Sequence, residues 1–299
     1  MAETLAPVAP GGGSRSPGRS LSAFLHQRPR LRLSLLLSAP VAWLVVAYLG
    51  SLVALFLSAF WTVDTFTGAL IREWNLENFR TLVTDSVYRT ITLRTLGVAA
   101  LVTVIDALIA FPMAFAMAKL VSPRARRFLV VAVLMPLWSS YLVKAYAWRV
   151  MLGEGGFVDS VFGATPGYGL TAAVIVLAYL WLPYMILPIY AGLERLPDSL
   201  LEASSDLGAR AGRTFRKVIF PMTMPAVIAG SIFTFSLSLG DYIAVQIVGG
   251  KTQLIGNVVY SNIGAANNLP FAAAFALVPV LIMVGYLMAV RRTGALDEL

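Results

Sequence analysis

Long apolar runs separated by short polar segments dominate the chain. The first run, Leu33 to Trp61, contains no charged residue over 29 positions. Five further apolar runs follow, at approximately 95–118, 128–150, 170–192, 219–240 and 271–290. Each is close to the ~20 residues that a helix needs to cross the hydrocarbon core of a bilayer. The pattern predicts an all-α polytopic membrane protein with six transmembrane helices.

Lysine and arginine are unequally distributed among the segments that separate the predicted spans. Sixteen of them lie in alternate segments, within residues 1–32, 119–127, 195–217 and 291–292, and five lie in the segments between. Because basic residues concentrate in cytoplasmic loops, both termini are predicted to be cytoplasmic. The segments predicted to face the outside are 62–94, 151–169 and 249–270.

The apolar runs also define the predicted domain boundaries. Residues 1–32 are rich in Gly, Pro, Ser and Arg, and a segment of this composition buries too little apolar surface to fold. We therefore predict a disordered basic cytoplasmic tail there. The apolar run after it is longer than that of a signal peptide, about 7–15 residues, which predicts a retained helix. Residues 33–292 then form one transmembrane domain, and residues 293–299 form a C-terminal tail.

Composition agrees with a membrane protein and excludes other classes. Hydrophobic residues make up 58% of the 299 residues and charged residues 13%, with a mean hydropathy of +0.78, whereas about 25% of an ordinary soluble domain is charged. The net charge of +8 does not indicate a nucleic-acid partner, because the basic residues lie in clusters between apolar runs. The chain has no cysteine and one histidine, His26, which leaves no thiolate metal site and no catalytic triad for a membrane-embedded enzyme.

One polar segment differs from the other short, basic ones. Leu193 to Val218 reads LERLPDSLLEASSDLGARAGRTFRKV and combines acids and bases with apolar residues at helical spacing. The predicted stripe consists of Leu200, Ser204, Leu207, Ala211, Phe215 and Val218. Ser199 and Glu202 have the spacing of a capping box, which predicts a helix start at Ser199. Gly208 then predicts an interruption of the helix, because glycine permits a turn or a close approach of another backbone.

The same segment carries a specific motif. The run E-A-S-S-D-L-G at 202–208, followed after nine residues by V-I-F-P at 218–221, resembles the EAA loop of ABC importer permeases. The matching residues are Glu202, Ala203, Gly208 and Pro221, while Ser204, Val218 and Phe220 replace the usual Ala, Ile and Leu. The resemblance implies the type I ABC importer permease fold. It also implies that residues 193–218, the coupling loop, dock on a separate ATPase through Glu202, Ala203, Ser204, Asp206, Gly208 and Pro221.

Further segments narrow the resemblance to one branch of that family. Segments similar to permeases of the spermidine/putrescine branch are 135–152, 187–208, 220–230, 254–259 and 268–274. Polyamine is therefore the first expected solute, and ferric iron and thiamine, which are carried by relatives in this branch, are alternatives. The resemblance implies a bacterial inner (plasma) membrane location and lipid contacts. The implied partners are a cytoplasmic ABC ATPase dimer, a second permease subunit and an extracytoplasmic solute-binding protein.

No ATP site is expected in this chain. The run GGKT at 249–252 lacks the glycine of a phosphate loop, because position 245 is Val245, and no strand precedes it. ATP and Mg are therefore expected on the partner ATPase, with no cofactor in this chain. An ion-coupled secondary transporter would need no ATPase, but this alternative leaves the motif at 202–208 unexplained.

Ionisable residues within or beside the predicted spans are candidates for the solute pathway, since isolated charges in a bilayer are costly. Asp241, beside Tyr242 at the outer end of the fifth span, is the first candidate for contact with a polycation, and Asp106 in the second span is another. The aromatic rings of Trp138, Tyr141 and Tyr184 could add cation–π contacts.

Structural roles are the alternatives for the same charges. Asp106 could pair with Lys144 in the third span and serve assembly. Lys144 and Arg149 could instead extend to the outer interface, where long basic side chains place their charged ends in water. Asp241 could simply be solvated. An unpaired Lys144 on the pathway would repel a polyamine.

Overall fold

The computed structural model describes residues 29–64 and 66–291, most of them as helices. Five helices in these residues are long and apolar enough to cross a membrane: Leu36–Ser58, Ser86–Leu120, Leu170–Glu194, Ala211–Gly240 and Leu269–Arg291. A bent helix pair, Pro123–Trp138 with Tyr141–Phe162, provides a sixth crossing when it is counted as one span. The prediction of an all-α fold with six spans is confirmed, whereas the orientation of the termini stays a prediction.

The predicted tails lie largely outside the described residues. The tail 293–299 and residues 1–28 of the N-terminal tail, with His26, belong to this part of the chain. Residues 29–32, which were expected to be disordered, begin the first helix instead. Pro29 at its start agrees with the preference for proline in the first turn of a helix, where its missing N–H has no intrahelical partner.

The elements follow one another in a simple order. The N-terminal stretch consists of α1 (Pro29–Trp43), a π-helical turn (Leu44–Leu49) and α2 (Gly50–Ser58). Strands β1 (Thr62–Val63) and β2 (Leu70–Ile71) then form an antiparallel ribbon, and α3 (Glu77–Thr84) follows. The second span is α4 (Ser86–Phe115) with a π-helical turn (Ala116–Leu120).

The remaining elements are also helical. The bent third span and its extension are α5 (Pro123–Trp138), α6 (Tyr141–Leu152) and α7 (Phe157–Phe162). The fourth span is α8 (Leu170–Glu194), and α9 (Asp198–Asp206) and α10 (Ala211–Thr214) follow it. A π-helical turn (Phe215–Ile219) leads into α11 (Phe220–Gly240), and α12 (Ile243–Val248), α13 (Ile255–Gly264) and α14 (Leu269–Arg291) complete the chain.

Helices α4, α8 and α11 pack against one another and form the centre of the fold. Their contact faces are small or aliphatic, with Val102 of α4 and Leu177 of α8 fully buried in one core cluster. Near the ends of α8 and α11 the two backbones approach closely, because a Cβ placed on Gly192 would lie 2.6 Å from the Cβ of Ala226. Such small-residue contacts are the usual means of helix association in a bilayer, where burial of apolar surface gives no net gain.

The third span, predicted over 128–150, is not a single helix, because α5 and α6 meet at 93°. Ser139 and Ser140 are non-helical at the corner, and Pro136 just before it lacks the N–H that a helix needs. The carbonyl oxygen of Pro136 instead accepts hydrogen bonds from Ser139 Oγ at 2.9 Å and from Lys144 Nζ at 2.8 Å. Side chains thus satisfy a carbonyl group that the break leaves without a backbone partner.

Candidate functional site

The coupling loop folds as two short helices joined by a turn at Gly208. The amide of Gly208 donates to the carbonyl oxygen of Ser205 at 2.8 Å, and that of Ala209 donates to Ser204 at 3.1 Å. These two bonds, with a φ of +75° at Gly208, form a Schellman motif that ends α9. The interruption predicted at this glycine is confirmed, and its cause is the left-handed backbone rather than a lack of space, since an added Cβ would meet no atom within 4 Å.

The predicted start of the helix and its apolar stripe are wrong. Helix α9 begins at Asp198 with Pro197 at the N-cap and no side-chain capping bond within the described chain. Ser199 is therefore the second residue of the helix rather than its N-cap, so it does not form a capping box with Glu202. The turn at Gly208 interrupts the stripe, because Leu200 and Ser204 lie on α9, whereas Ala211, Phe215 and Val218 follow the turn. Leu207 is 88% exposed.

The residues predicted to contact an ATPase fall into two groups. Glu202, Ala203 and Asp206 are exposed on α9. Ser204 is half-buried, and its Oγ lies 2.8 Å from Thr214 Oγ1, so it joins α9 to α10. Pro221 lies in the first turn of α11 after the π-helical turn, in which the amide of Phe220 bonds to the carbonyl oxygen of Phe215. The loop thus presents an exposed acidic and apolar surface on an internally bonded support.

A second candidate site is a cavity of about 320 Å³ at the corner between α11 and α12. Its lining residues are Tyr141, Trp181, Ser236, Leu237, Gly240, Asp241, Tyr242 and Ile243. Asp241 is 8% exposed, and each oxygen of its carboxylate accepts a hydrogen bond. Its Oδ1 accepts from the amide of Ala244 at 2.9 Å, and its Oδ2 accepts from the hydroxyl of Tyr141. Asp241 is therefore an oriented, largely buried acceptor rather than a solvated one.

Aromatic rings surround this carboxylate. The ring centroid of Trp181 lies 6.0 Å from that of Tyr141 and 5.9 Å from that of Tyr184. On the other side Tyr242 stacks on Tyr260 at 4.8 Å. The structure thus brings together four of the predicted residues, with Tyr184 one ring removed from the cavity wall.

Two aromatic residues of this group, Trp181 and Tyr260, were not predicted from the sequence. Trp181 lies three residues before Tyr184 and therefore shares its helix face, a spacing that could have identified it. No comparable signal marks Tyr260, which reaches Tyr242 only through the fold. By contrast, the predicted Trp138 is 76% exposed and does not line the cavity.

Asp106 is separate from this cavity. It is fully buried in α4, and neither of its carboxylate oxygens has a hydrogen-bond partner among the described residues. The suggested pair with Lys144 is wrong, because the ammonium of Lys144 binds Pro136 at the bend. The guanidinium of Arg149 also has partners, because it donates to the carbonyl oxygen of Ile247 and lies over the ring of Tyr168. Neither base therefore faces the Asp241 cavity.

Two basic residues beside the coupling loop bind residues of that loop. The count of Lys and Arg in the sequence did not predict these contacts. Lys119 donates to the carbonyl oxygen of Leu196 and to Asp198 Oδ1, each at 2.6 Å. Arg126 lies 3.5 Å from Glu194 Oε1.

In the described part of the chain, no cluster of three or more His, Cys, Asp and Glu side chains could hold a metal ion.

Comparison with known proteins identifies relatives over almost the whole chain. The family described as "Binding-protein-dependent transport system inner membrane component" matches residues 98–292. The inner membrane ABC transporter permease protein YdcU of Escherichia coli K12 is 44% identical over 95% of this chain and 98% of its own length. The spermidine/putrescine transport system permease protein PotB of Haemophilus influenzae is 35% identical over 71% of this chain and 78% of its length.

Solved structures show the same fold at low identity. A bacterial ABC transporter involved in the import of the acidic polysaccharide alginate matches with a TM-score of 0.66 at 14% identity, over 91% of this chain and 99% of that one. The MetNI methionine ABC transporter in an inward-facing conformation matches with a TM-score of 0.55 at 19% identity, over 68% and 93%.

Proposed function

Because the chain belongs to the family of binding-protein-dependent transport system inner membrane components, and is thus a multi-pass transport subunit of an ABC importer rather than an enzyme, we propose that it carries a polyamine such as spermidine or putrescine. The observation that carries this proposal is the buried carboxylate of Asp241 in an aromatic cavity. A carboxylate next to ring faces is suited to a primary ammonium group, which gains both charge pairing and cation–π attraction.

The geometry of Asp241 supports reversible binding of a cation. Tyr141 and Ala244 each donate to one carboxylate oxygen, and together they fix its direction. Each oxygen retains a further lone pair, because a carboxylate accepts about four hydrogen bonds. A solute ammonium could therefore bind without displacing either donor. Tyr242 and Trp181 would contribute ring faces, Tyr184 would support the ring of Trp181, and the exposed Trp138 would act outside the cavity.

Asp106 is a second carboxyl group for the same pathway. In this conformation it is sealed between packed helices and is without a partner among the described residues. A buried carboxyl group without a partner is costly when charged. We expect that the pathway reaches Asp106 only in another state of the transport cycle, in which the packing around this side chain opens.

One further observation favours a polyamine, and a second removes an objection to any cationic solute. Relatives named as spermidine/putrescine permeases are 31–35% identical to this chain over 70–75% of its length. The ammonium of Lys144, which would repel a polycation, is held by the carbonyl oxygen of Pro136. Neither observation assigns the solute of the YdcU relative, whose name states none, so ferric iron and thiamine are the alternatives to test.

We propose that movement of the coupling loop switches the side of the membrane to which the solute pathway opens. The exposed Glu202, Ala203 and Asp206 would bind a cleft of a cytoplasmic ATPase, on which ATP and Mg are held, and Ser204, Gly208 and Pro221 would keep the loop in shape. A second permease subunit would complete the pathway, and an extracytoplasmic solute-binding protein would deliver the solute. Both termini would lie in the cytoplasm of a bacterial cell with the chain in its inner (plasma) membrane. ATP-driven movement of α9 would turn the pathway outward, and hydrolysis would return it.

Uptake by proteoliposomes tests the proposed solute. The complete importer is reconstituted with ATP inside, and uptake of spermidine, putrescine, ferric ion and thiamine is measured with the binding protein outside. We expect ATP-dependent uptake of a polyamine and its loss in Asp241→Asn. Uptake of ferric ion or thiamine alone would overturn the polyamine assignment, and uptake that follows an ion gradient without ATP would favour the secondary transporter.

A further inference from the structure

The loop between α4 and α5 is bonded directly to the start of the coupling loop. The ammonium of Lys119 lies 2.6 Å from both the carbonyl oxygen of Leu196 and the carboxylate of Asp198. The side chain of Lys119 is only 10% exposed, whereas that of Asp198 is 76% exposed. Lys119 thus reaches from a buried position at the end of the second span to the first residue of α9.

Arg126 makes a second connection beside the first. Its guanidinium donates to the carbonyl oxygens of Ala118 at 2.6 Å and Met117 at 3.2 Å, which lie at the end of the second span. The same group lies 3.5 Å from Glu194, the last residue of α8. Glu194 is oriented by the hydroxyl of Tyr190, which donates to it at 3.0 Å. Arg126 therefore links three transmembrane elements, the second span, α5 and α8.

The two connections lie on either side of the turn that leads into α9. Glu194 ends α8 and Asp198 begins α9, so the turn 195–197 lies between two charged anchors and is itself bonded through Leu196. The hydrogen bond from Lys119 and its positive charge hold the pKa of Asp198 below its usual range. Exposed ion pairs contribute little to stability. The bond from the buried ammonium to a backbone carbonyl group is different, because charge-assisted hydrogen bonds are short and directional.

We infer that Lys119 and Arg126 form a latch that makes the cytoplasmic ends of the second and third spans move with the coupling helix α9. The inference rests on the proposed coupling role of the loop. Through the backbone alone, α9 is joined to α8 and, by way of α10, to α11. The latch adds a direct polar link from α4 and α5 to α9, beside the packing of α4 against α8 and α11. A displacement of α9 by the ATPase would then reach both α4, which carries Asp106, and the bent span that carries Tyr141. Lys119 and Arg126 are thus positioning residues and touch neither solute nor nucleotide.

Transport efficiency tests the latch. The ratio of solute imported to ATP hydrolysed is measured in proteoliposomes for Lys119→Met, with Lys119→Arg as the conservative variant. Arg124→Met is the matched control, because Arg124 lies nearby in the first turn of α5, is exposed and makes no hydrogen bond or ion pair to a described residue. We expect the ratio to fall about fivefold or more in Lys119→Met, to recover in Lys119→Arg and to stay at the parent value in the control. Equal ratios in Lys119→Met and the control would overturn the latch.

A distance measurement separates the latch from a loss of folding. The chain has no cysteine, so spin labels can be attached at Arg124→Cys and Ser199→Cys alone. The label distance is measured in the assembled importer without nucleotide and with trapped ATP. We expect one narrow distance that is the same in both states, and a broadened distance when Lys119→Met is added. A distance that changes between the two states with Lys119 present would overturn the inference.

The same experiments distinguish failure of the latch from failure of the proposed function. If Glu202→Ala uncouples hydrolysis from import while Lys119→Met does not, the coupling loop stands and the latch is refuted. If the complete parent importer hydrolyses no ATP in response to solute, the proposed function itself is refuted, and the latch with it.

Discussion

The hydroxyl of Tyr141 in α6 donates a hydrogen bond to the carboxylate of Asp241, a hundred residues later in the chain. The contact joins the bent third span to the corner between α11 and α12. It also explains why a carboxylate that is 8% exposed is stable there, since a second donor, the amide of Ala244, satisfies the other oxygen. The wall of the proposed solute cavity therefore depends on the bend at residues 139–140.

Replacing Tyr141 by Phe should weaken this corner without removing the ring from the cavity wall. The loss of a hydrogen bond to a buried charged group should lower the free energy of unfolding by about 1–3 kcal/mol. We expect a lower thermal midpoint for Tyr141→Phe in detergent. Tyr146→Phe is the matched control, because Tyr146 is 55% exposed in the same helix. An equal effect of the two substitutions would show that the bond to Asp241 contributes nothing specific.

Replacing Asp241 by Asn should separate the charge of this residue from its structural role. The amide oxygen of Asn can still accept from Ala244 or Tyr141, so we expect the importer to assemble. The attraction for an ammonium group is lost, and uptake of polyamine at low concentration should fall about tenfold or more, by analogy with other charge-assisted contacts worth 1.5–3 kcal/mol. Unchanged uptake by an assembled Asp241→Asn importer would remove Asp241 from the pathway.

The φ of +75° at Gly208 predicts a backbone effect of substitution. Gly208→Ala should destabilise the loop by about 1–2 kcal/mol, because a Cβ is disfavoured in the left-handed region, and Gly208→Asn should cost less. The matched control is Gly212→Ala in α10, where the backbone is helical and an added Cβ meets no atom within 4 Å. Limited proteolysis of the loop measures the difference, and equal cleavage rates for the two alanine variants would contradict it.

Lys144→Met should destabilise the bend between α5 and α6. This substitution removes the ammonium from the carbonyl oxygen of Pro136 and leaves Ser139 as the remaining side-chain donor. We expect a loss of about 1 kcal/mol in the free energy of unfolding, with recovery in Lys144→Arg. Thermal unfolding of the purified chain measures this loss. A midpoint equal to that of the parent would show that Ser139 alone satisfies the bend.

The contact between Lys119 and Asp198 should be insensitive to pH near neutrality. The pKa of Asp198 is lowered in the folded protein, so its stabilising effect is present above the unfolded pKa of about 4 and is lost only as the pH falls through the folded value. The transport ratio should therefore show no loss from this group between about pH 5 and pH 8. Asp198→Asn should reproduce the low-pH state at pH 7. A ratio in the parent that falls between pH 8 and pH 6, but is flat in Asp198→Asn, would contradict this assignment.

Much of the fold follows from the sequence because hydrophobic length is a direct physical requirement of a bilayer. The runs that begin near Leu170 and Leu269 coincide with helices, because each is long and apolar enough to cross the bilayer. The position of the sharp bend in the third span was not predicted, because Pro136 is one of several prolines in the spans, and Pro112 and Pro183 remain inside single helices. Whether a proline breaks a span depends on donors such as Lys144, which tertiary structure supplies.

In the candidate sites too, local backbone features were predictable from the sequence and tertiary contacts were not. The turn at Gly208 was predictable, because few residues other than glycine adopt its backbone conformation. The helix start was not, because Pro197 and the contact between Asp198 and Lys119 decided it instead of Ser199. Asp241 and Tyr141 were separate candidates in the sequence, and only the fold joins them.

The most direct test of the account is ATP hydrolysis by the complete reconstituted importer in response to solute-loaded binding protein. It compares the parent chain with Glu202→Ala, which changes the exposed face of the coupling loop, and with Gly212→Ala as the control. We expect polyamine-loaded binding protein to stimulate hydrolysis in the parent and the control, and we expect Glu202→Ala to assemble but to lose most of the stimulation. Equal stimulation in all three importers, or a parent chain that binds no ATPase, would contradict it.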